Sequence, residues 1–196
     1  MSTDDPTQED VECMLRLKNG EDTALNELMT RWQKPLVSFI LRYAGNEQDA
    51  LDLAQETFVR VFESRARYEP RSKFSTWLFT IATNLCRNQA RWRERHPTVT
   101  LHATGDDEDS GLESTLPATG DTPSDSAERE DLASAVREAI QTLPHDLKTA
   151  VLLFEYQEQG YEEIAATLRC SPKAVETRLY RARQLLRGSL SRWKIV

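Results

Sequence analysis

The run Tyr161-Glu-Glu-Ile-Ala-Ala-Thr-Leu168-Arg-Cys-Ser171-Pro-Lys-Ala-Val-Glu-Thr-Arg-Leu-Tyr-Arg-Ala-Arg-Gln-Leu-Leu-Arg187 decides the architecture of the C-terminal part of the chain. Ile164, Ala165 and Leu168 share one apolar side, which predicts a short helix over 161–168. Arg169 and Cys170 form a turn. Ser171 is a good N-cap and Pro172 suits a first helical position, where its missing N–H would have no partner anyway. Val175, Leu179, Ala182 and Leu186 then recur at helical spacing and mark a buried stripe, while Lys173, Thr177, Arg178, Arg181 and, at the margin, Tyr180 gather on the outer face. A short helix, a tight turn and a basic-faced second helix form the arrangement that lays its second helix in a major groove. The positive end of that helix at Ser171 also favours a phosphate. A solvated basic helix in a bundle would share the charged face, but not its coincidence with the cap and the turn.

Outward from this motif the charge is very uneven. The 196 residues carry 25 Lys+Arg against 32 Asp+Glu, a net charge of −7, which taken alone argues against nucleic acid as a partner. Yet residues 169–196 hold eight basic residues and one acidic, residues 60–95 nine and three, and residues 96–130 one and nine. Such asymmetry is more informative than the total. Pro97, Gly105, Gly111, Pro117, Gly120 and Pro123 interrupt the acidic stretch, and apolar periodicity is lost there. A flexible acidic linker over 96–127 is therefore expected between folded units at 8–95 and 128–192.

Both units read as helix, and the fold class is all-α. Leu25, Leu28, Met29, Trp32, Leu36, Phe39, Ile40 and Tyr43 form one helical stripe that Gly45 stops, and Pro35 within it predicts a kink or a break. In the next helix Leu51, Ala54, Phe58, Val61 and Phe62 face inward, and opposite them lie Asp52, Gln55, Glu56 and Glu63. That acidic face suits either solvent or a basic protein partner. A third helix turns Phe74, Trp77, Leu78, Ile81, Leu85 and Cys86 inward and presents Thr80, Asn84, Arg87, Asn88, Arg91 and Arg95 outward. Asn and Arg hydrogen-bond both phosphates and base edges. Just upstream, Arg65, Arg67, Tyr68, Arg71 and Lys73 form a basic loop with an aromatic, the pairing that tracks and stacks a single strand. Trp77 fits either a core or a stacking surface. After the linker, Leu132, Val136, Ile140 and Leu143 mark a helix ended by Pro144.

Together these segments resemble the extracytoplasmic-function (ECF) group of sigma-70-type sigma factors. The resemblance rests on Asp49-Ala-Leu-Asp52-Leu-Ala-Gln55-Glu56-Thr-Phe58, Phe74-Ser-Thr-Trp77-Leu-Phe-Thr-Ile-Ala-Thr-Asn84, Leu143-Pro144 and Tyr161-Glu-Glu-Ile-Ala, in that order. It implies two small helical domains, a sigma-2 bundle and a sigma-4 helix-turn-helix, and a chain that recruits core RNA polymerase to specific promoters. By resemblance, Asp49, Asp52, Gln55 and Glu56 bind core polymerase. Residues Arg65, Arg67, Tyr68, Arg71, Lys73, Phe74, Trp77, Thr80, Asn84, Arg87, Asn88 and Arg91 meet the single-stranded −10 element. Ser171, Lys173, Ala174, Glu176, Thr177, Arg178, Tyr180 and Arg181 meet the −35 duplex. An anti-sigma factor is an implied partner. The chain departs from the family at Arg169, where Gly is common, and at Ala174 and Glu176, where Thr and a basic residue are common. Glu176 can accept from a cytosine amino group, so an altered −35 preference is expected.

An autonomous helix-turn-helix regulator would explain residues 128–190 but leave the acidic face and the 74–95 stripe idle. An enzyme is not expected. His96, His102 and His145 suggest no base–nucleophile pair, and no HExxH or ExxH spacing offers a metal site, so neither metal nor cofactor is implied. No apolar run approaches the roughly 18–20 residues of a membrane span, and the acidic N-terminus is no secretory signal. Three scattered cysteines, Cys13, Cys86 and Cys170, fit a reduced cytoplasmic chain.

Overall fold

The computed structural model of the chain describes residues 6–70, 72–96 and 123–193, so Arg71 and residues 97–122 of the expected linker lie outside the described residues. Every regular element among them is helical: α1 (Pro6–Lys18), α2 (Ala24–Ala44), α3 (Glu47–Ser64), α4 (Phe74–Arg95), α5 (Pro123–Gln141), α6 (His145–Tyr156), α7 (Tyr161–Leu168) and α8 (Pro172–Ser189), with single 3-10 turns at Arg65–Arg67 and Ser191–Trp193.

Local chemistry sets the ends. Gly45, at φ 72°, gives its N–H to the Leu41 carbonyl and closes α2. Asn46 accepts from the Asp49 N–H at 2.9 Å and opens α3. Ser171 Oγ accepts from the Ala174 N–H at 3.2 Å, with Pro172 in the first turn, as the cap reading expects.

Two boundaries differ from the sequence reading. Helix α2 runs unbroken through Pro35. An internal proline costs roughly 3 kcal/mol, but Leu36, Phe39 and Ile40 directly after it are fully buried. Each such burial contributes about 1.5–3 kcal/mol, so the helix persists. Second, residues 123–127, assigned to the linker, already form the first turn of α5. Pro123 there starts a helix rather than breaking one, the other meaning of a proline next to Ser and Asp.

In the N-terminal half α2 packs against α1, α3 and α4. Edge-on aromatic pairs fill the centre: Phe39–Phe79 at 5.1 Å, Trp32–Phe74 at 6.1 Å and Trp32–Phe79 at 6.2 Å between centroids. Asp10 of α1 is buried and accepts from Arg31 Nη1 at 2.7 Å and Trp32 Nε1 at 2.8 Å. Burial pushes its carboxyl above the ordinary aspartate value, and those two donors only partly offset it.

In the C-terminal half α6, α7 and α8 enclose Leu152, Leu153, Ile164, Val175 and Leu179. The halves also touch each other, through α2 on α5 and α6 and through α4 on α7. Their buried side chains form one continuous cluster from Cys13 to Ala182. Three surfaces are left on the outside of it.

Candidate nucleic-acid and protein interfaces

The first surface is on α8. Val175, Leu179 and Ala182 anchor it, which turns Lys173, Glu176, Thr177, Tyr180 and Arg181 outward. Tyr180 is 64% exposed, unusual for a tyrosine that packing does not require. Lys173 Nζ lies 2.7 Å from Glu176 Oε2, so the one acid on this face is partly neutralised by its neighbour. Ala174 is half-buried. Arg178 sits at the inner margin, where its Nη1 donates to Cys170 Sγ at 2.9 Å and its Nη2 to Asp146 Oδ2 at 3.1 Å.

The second surface is a groove of about 500 Å³ between the end of α3 and the middle of α4, lined by Arg60, Ser64, Arg67, Ile81, Asn84 and Asn88 among others. It brings three predicted residues, Arg67, Asn84 and Asn88, around an apolar floor. Carboxamides and guanidiniums over Ile81 and Leu85 suit the edge and face of an unstacked base. Arg60 belongs to this wall too. Sequence reading missed it because it bonds Glu56 along α3, at 2.7 Å, like an ordinary i,i+4 pair.

Other residues assigned to this surface have different settings. Tyr68 is 1% exposed and Phe74 0%, so both are core side chains that hold the 65–73 loop instead of stacking on a base. Trp77 is half-buried against them, 5.3 Å from Tyr68 and 6.3 Å from Phe74. Lys18 Nζ bonds the Tyr68 carbonyl at 3.1 Å and fixes the loop's base to α1. Arg65 folds back on α3, donating to the Phe62 carbonyl at 2.8 Å and lying over its ring. Thr80 Oγ1 is turned to the Thr76 carbonyl at 2.7 Å. Arg91 is exposed. Lys73 and Arg87 reach the C-terminal half, at Glu163 Oε1 (2.9 Å) and Asp146 Oδ1 (2.6 Å).

The third surface is the outer face of α3. Gln55 and Asp52 are exposed and Glu56 is bonded to Arg60. Asp49 is held by Arg93 of α4 and is mostly covered, so it braces two helices. Leu51 and Val59 are each 43% exposed on the same side. The periodicity reading turned Leu51 inward. Ala50, Ala54, Thr57, Phe58 and Val61 fill the inner arc instead, which leaves an apolar and acidic mixture outside. None of the described helices is long and apolar enough to cross a membrane.

Comparison with known proteins supplies a family. The Sigma-70 region 2 model matches residues 28–96, and the Sigma-70 region 4 model matches residues 133–186. The ECF RNA polymerase sigma-E factor of Haemophilus influenzae is 31% identical over 175 residues, 89% of this chain and 92% of that protein. The chain belongs to the ECF group of the sigma-70 family. The RNA polymerase sigma-H factor of Pseudomonas aeruginosa is 29% identical across 93% of this sigma factor and 94% of that protein.

Two solved structures share the fold. CnrH in complex with the cytosolic domain of CnrY has a TM-score of 0.68 at 24% identity, covering 93% of this sigma factor and 97% of that chain. The sigma factor RpoE in complex with the anti-sigma factor NepR from Bartonella quintana has a TM-score of 0.63 at 23% identity, covering 85% and 96%. The region 2 match contains the α3 face and the α4 groove of this sigma factor, and the region 4 match contains α7 and α8.

Proposed function

We propose a division of labour within this sigma factor: residues 8–95 act as the sigma-2 unit, residues 128–192 as the sigma-4 unit and residues 96–127 as the acidic connection. The reading rests on one observation above all. A single chain carries an exposed recognition face on a helix-turn-helix and, separately, a groove lined by Asn84, Asn88, Arg60 and Arg67. Duplex reading and single-strand capture need these two different surfaces.

Asp52, Gln55 and Glu56, flanked by Leu51 and Val59, dock on core RNA polymerase, the apolar pair supplying burial and the polar groups register. Asp49 supports them through Arg93. Helix α8 enters the −35 major groove with Lys173, Thr177, Tyr180 and Arg181 foremost, and Ser171 offers the helix N-terminus to a phosphate. The α4 groove takes a base flipped from the −10 element. Unstacking costs a few kcal/mol per base, which the groove and the attached polymerase offset. No covalent step is required of this chain. It works where polymerase and chromosome meet, in the cytoplasm. An anti-sigma factor is its expected regulator, since one structural neighbour, the sigma factor RpoE, is in complex with the anti-sigma factor NepR.

Transcription reconstituted with core polymerase on a promoter enriched by overexpression tests the assignment. The double substitution Asn84→Ala/Asn88→Ala lowers permanganate reactivity of −10 thymines roughly tenfold, by analogy with losing one good amide–base contact, while −35 duplex binding stays within twofold. Unchanged −10 reactivity refutes the groove's role.

A further inference from the structure

Helix α4 carries its outward stripe beyond the groove. With about 3.6 residues per turn, Asn84, Asn88, Arg91, Trp92 and Arg95 lie within roughly 100° of arc. Glu94 falls outside that arc, and Arg93 turns the other way to Asp49. Residues 91–96 are all exposed. Trp92 is 49% exposed, an unfavourable setting for the largest apolar side chain unless something covers it. Its ring is stacked on His96, with 4.9 Å between centroids and 22° between planes. The His96 N–H donates to the Trp92 carbonyl at 2.9 Å, and its Nδ1 lies 3.0 Å from the same oxygen, so the imidazole braces the indole.

The charges around this aromatic face are of one sign. Arg87 and Arg93 are taken by Asp146 and Asp49, whereas no ion pair among the described residues involves Arg91 or Arg95. Arg95 Nε donates to the Arg91 carbonyl at 3.1 Å, which keeps its guanidinium beside the last turn of the helix.

We propose that Trp92 and Arg95 form a further DNA-binding patch, which grips the promoter duplex on the −35 side of the melted −10 element. Arg95 takes a backbone phosphate, and the Trp92–His96 face packs on the adjoining deoxyribose. The idea rests on the functional reading above. A guanidinium beside an exposed aromatic, with no carboxylate on the arc, suits a surface that is anionic and partly apolar. The patch continues the Asn84–Asn88 face without a break, so a strand leaving the groove toward the −35 element passes over it. The segment that leads to the −35-reading unit starts beyond His96, which puts this end of α4 on that side. From Asn88 to Arg95 the helix rises about 10 Å, or about three phosphate steps at roughly 3.4 Å per nucleotide of one strand.

Binding of promoter duplex by holoenzyme, assembled from core polymerase and the full chain, is measured over a salt series. Arg95→Gln weakens it roughly three- to tenfold and lowers the slope of log affinity against log salt by about one. Trp92→Ala weakens it by a similar factor without changing the slope, and Trp92→Phe recovers most of the loss. Neutral methylphosphonates placed two to four steps on the −35 side of the outermost permanganate-reactive thymine weaken native holoenzyme as much as Arg95→Gln does. They leave Arg95→Gln holoenzyme unaffected, and affinity for core polymerase is native in every variant. An Arg95→Gln affinity within twofold of native, an unchanged slope, or an equal response of both proteins to the neutral phosphates overturns the patch. A loss of core affinity assigns the face to polymerase and overturns it equally. If Asn84→Ala/Asn88→Ala leaves −10 reactivity unchanged, the groove reading fails, while the Arg95→Gln slope and the methylphosphonate comparison still decide the patch.

Discussion

Arg169 carries the most legible local departure. It ends α7 in the left-handed conformation, at φ 51° and ψ 51°, where a Cβ is penalised. The turn still forms because the Cys170 N–H reaches the Ala165 carbonyl at 2.9 Å and Ser171 starts the next helix at once. Arg169→Gly relieves the left-handed cost of about 1–2 kcal/mol and loses somewhat less in chain entropy, so a net gain of about 0.5 kcal/mol is expected. Urea denaturation reads it. A loss of stability means that the Arg169 side chain itself supports the turn. Glu176 is the other departure, and its Oε2 accepts from Lys173 Nζ at 2.7 Å, which partly neutralises the one acid on this face.

At the scale of elements, the caps and stripes were readable because they are local. Gly45, Asn46, Ser171 and Pro172 each act within four residues of themselves. What the sequence could not disclose lies where elements meet. Arg87 and Asp146 are 59 positions apart, and Tyr43 and His145 are 102 apart. The α2–α6 contact is where pH acts. His145 Nδ1 is bonded to the Tyr43 hydroxyl, and burial, then the nearby Arg87, hold the imidazole down to about 4 from its ordinary 6.5. Asp146 pulls the other way, and Arg91 and Lys148 add to the depression.

The folded ring therefore stays neutral while the unfolded one takes up a proton below pH 6.5. Stability from this group is complete above that pH and declines as pH falls toward 4, levelling off beneath it. Over the whole window it amounts to at most about 3 kcal/mol, and about 2 kcal/mol is already lost at pH 5. Glu163 adds only at lower pH. Burial raises its carboxyl, but the bonds from Lys73 and the Gly160 N–H outweigh that and leave it below the usual glutamate value. Unfolding free energies at pH 7 and pH 5 are expected to differ more in the native chain than in His145→Gln. Equal differences in the two proteins rule out His145 as the source.

For the whole molecule, net charge was the misleading quantity and its distribution the useful one. The basic blocks fall on residues 60–95 and 169–196, and the acidic excess on residues 1–59 and 96–168. Composition anticipated two units, and the caps and periods anticipated their helices. The single buried cluster that joins them was not legible, because its seam combines α2 carbonyls that any sequence would carry with side-chain pairs far apart in the chain, such as Arg87–Asp146 and Tyr43–His145.

That seam makes a cooperative prediction. Gln141 both donates to the Arg42 carbonyl and accepts from Lys148, whose ammonium is held below the ordinary lysine value by burial. Gln141→Ala leaves a carbonyl without its donor and a desolvated lysine with one acceptor fewer, a loss of about 1–3 kcal/mol. Because the loss falls between the halves, it uncouples them as well. In the native chain, urea transitions followed by tryptophan fluorescence, weighted to Trp32, Trp77 and Trp92 of the N-terminal half, coincide with those followed by far-ultraviolet circular dichroism. In Gln141→Ala the two midpoints separate. Coincident transitions with stability within about 0.5 kcal/mol of native would show that the seam contributes no cooperativity and that the halves hold together through their apolar contacts alone.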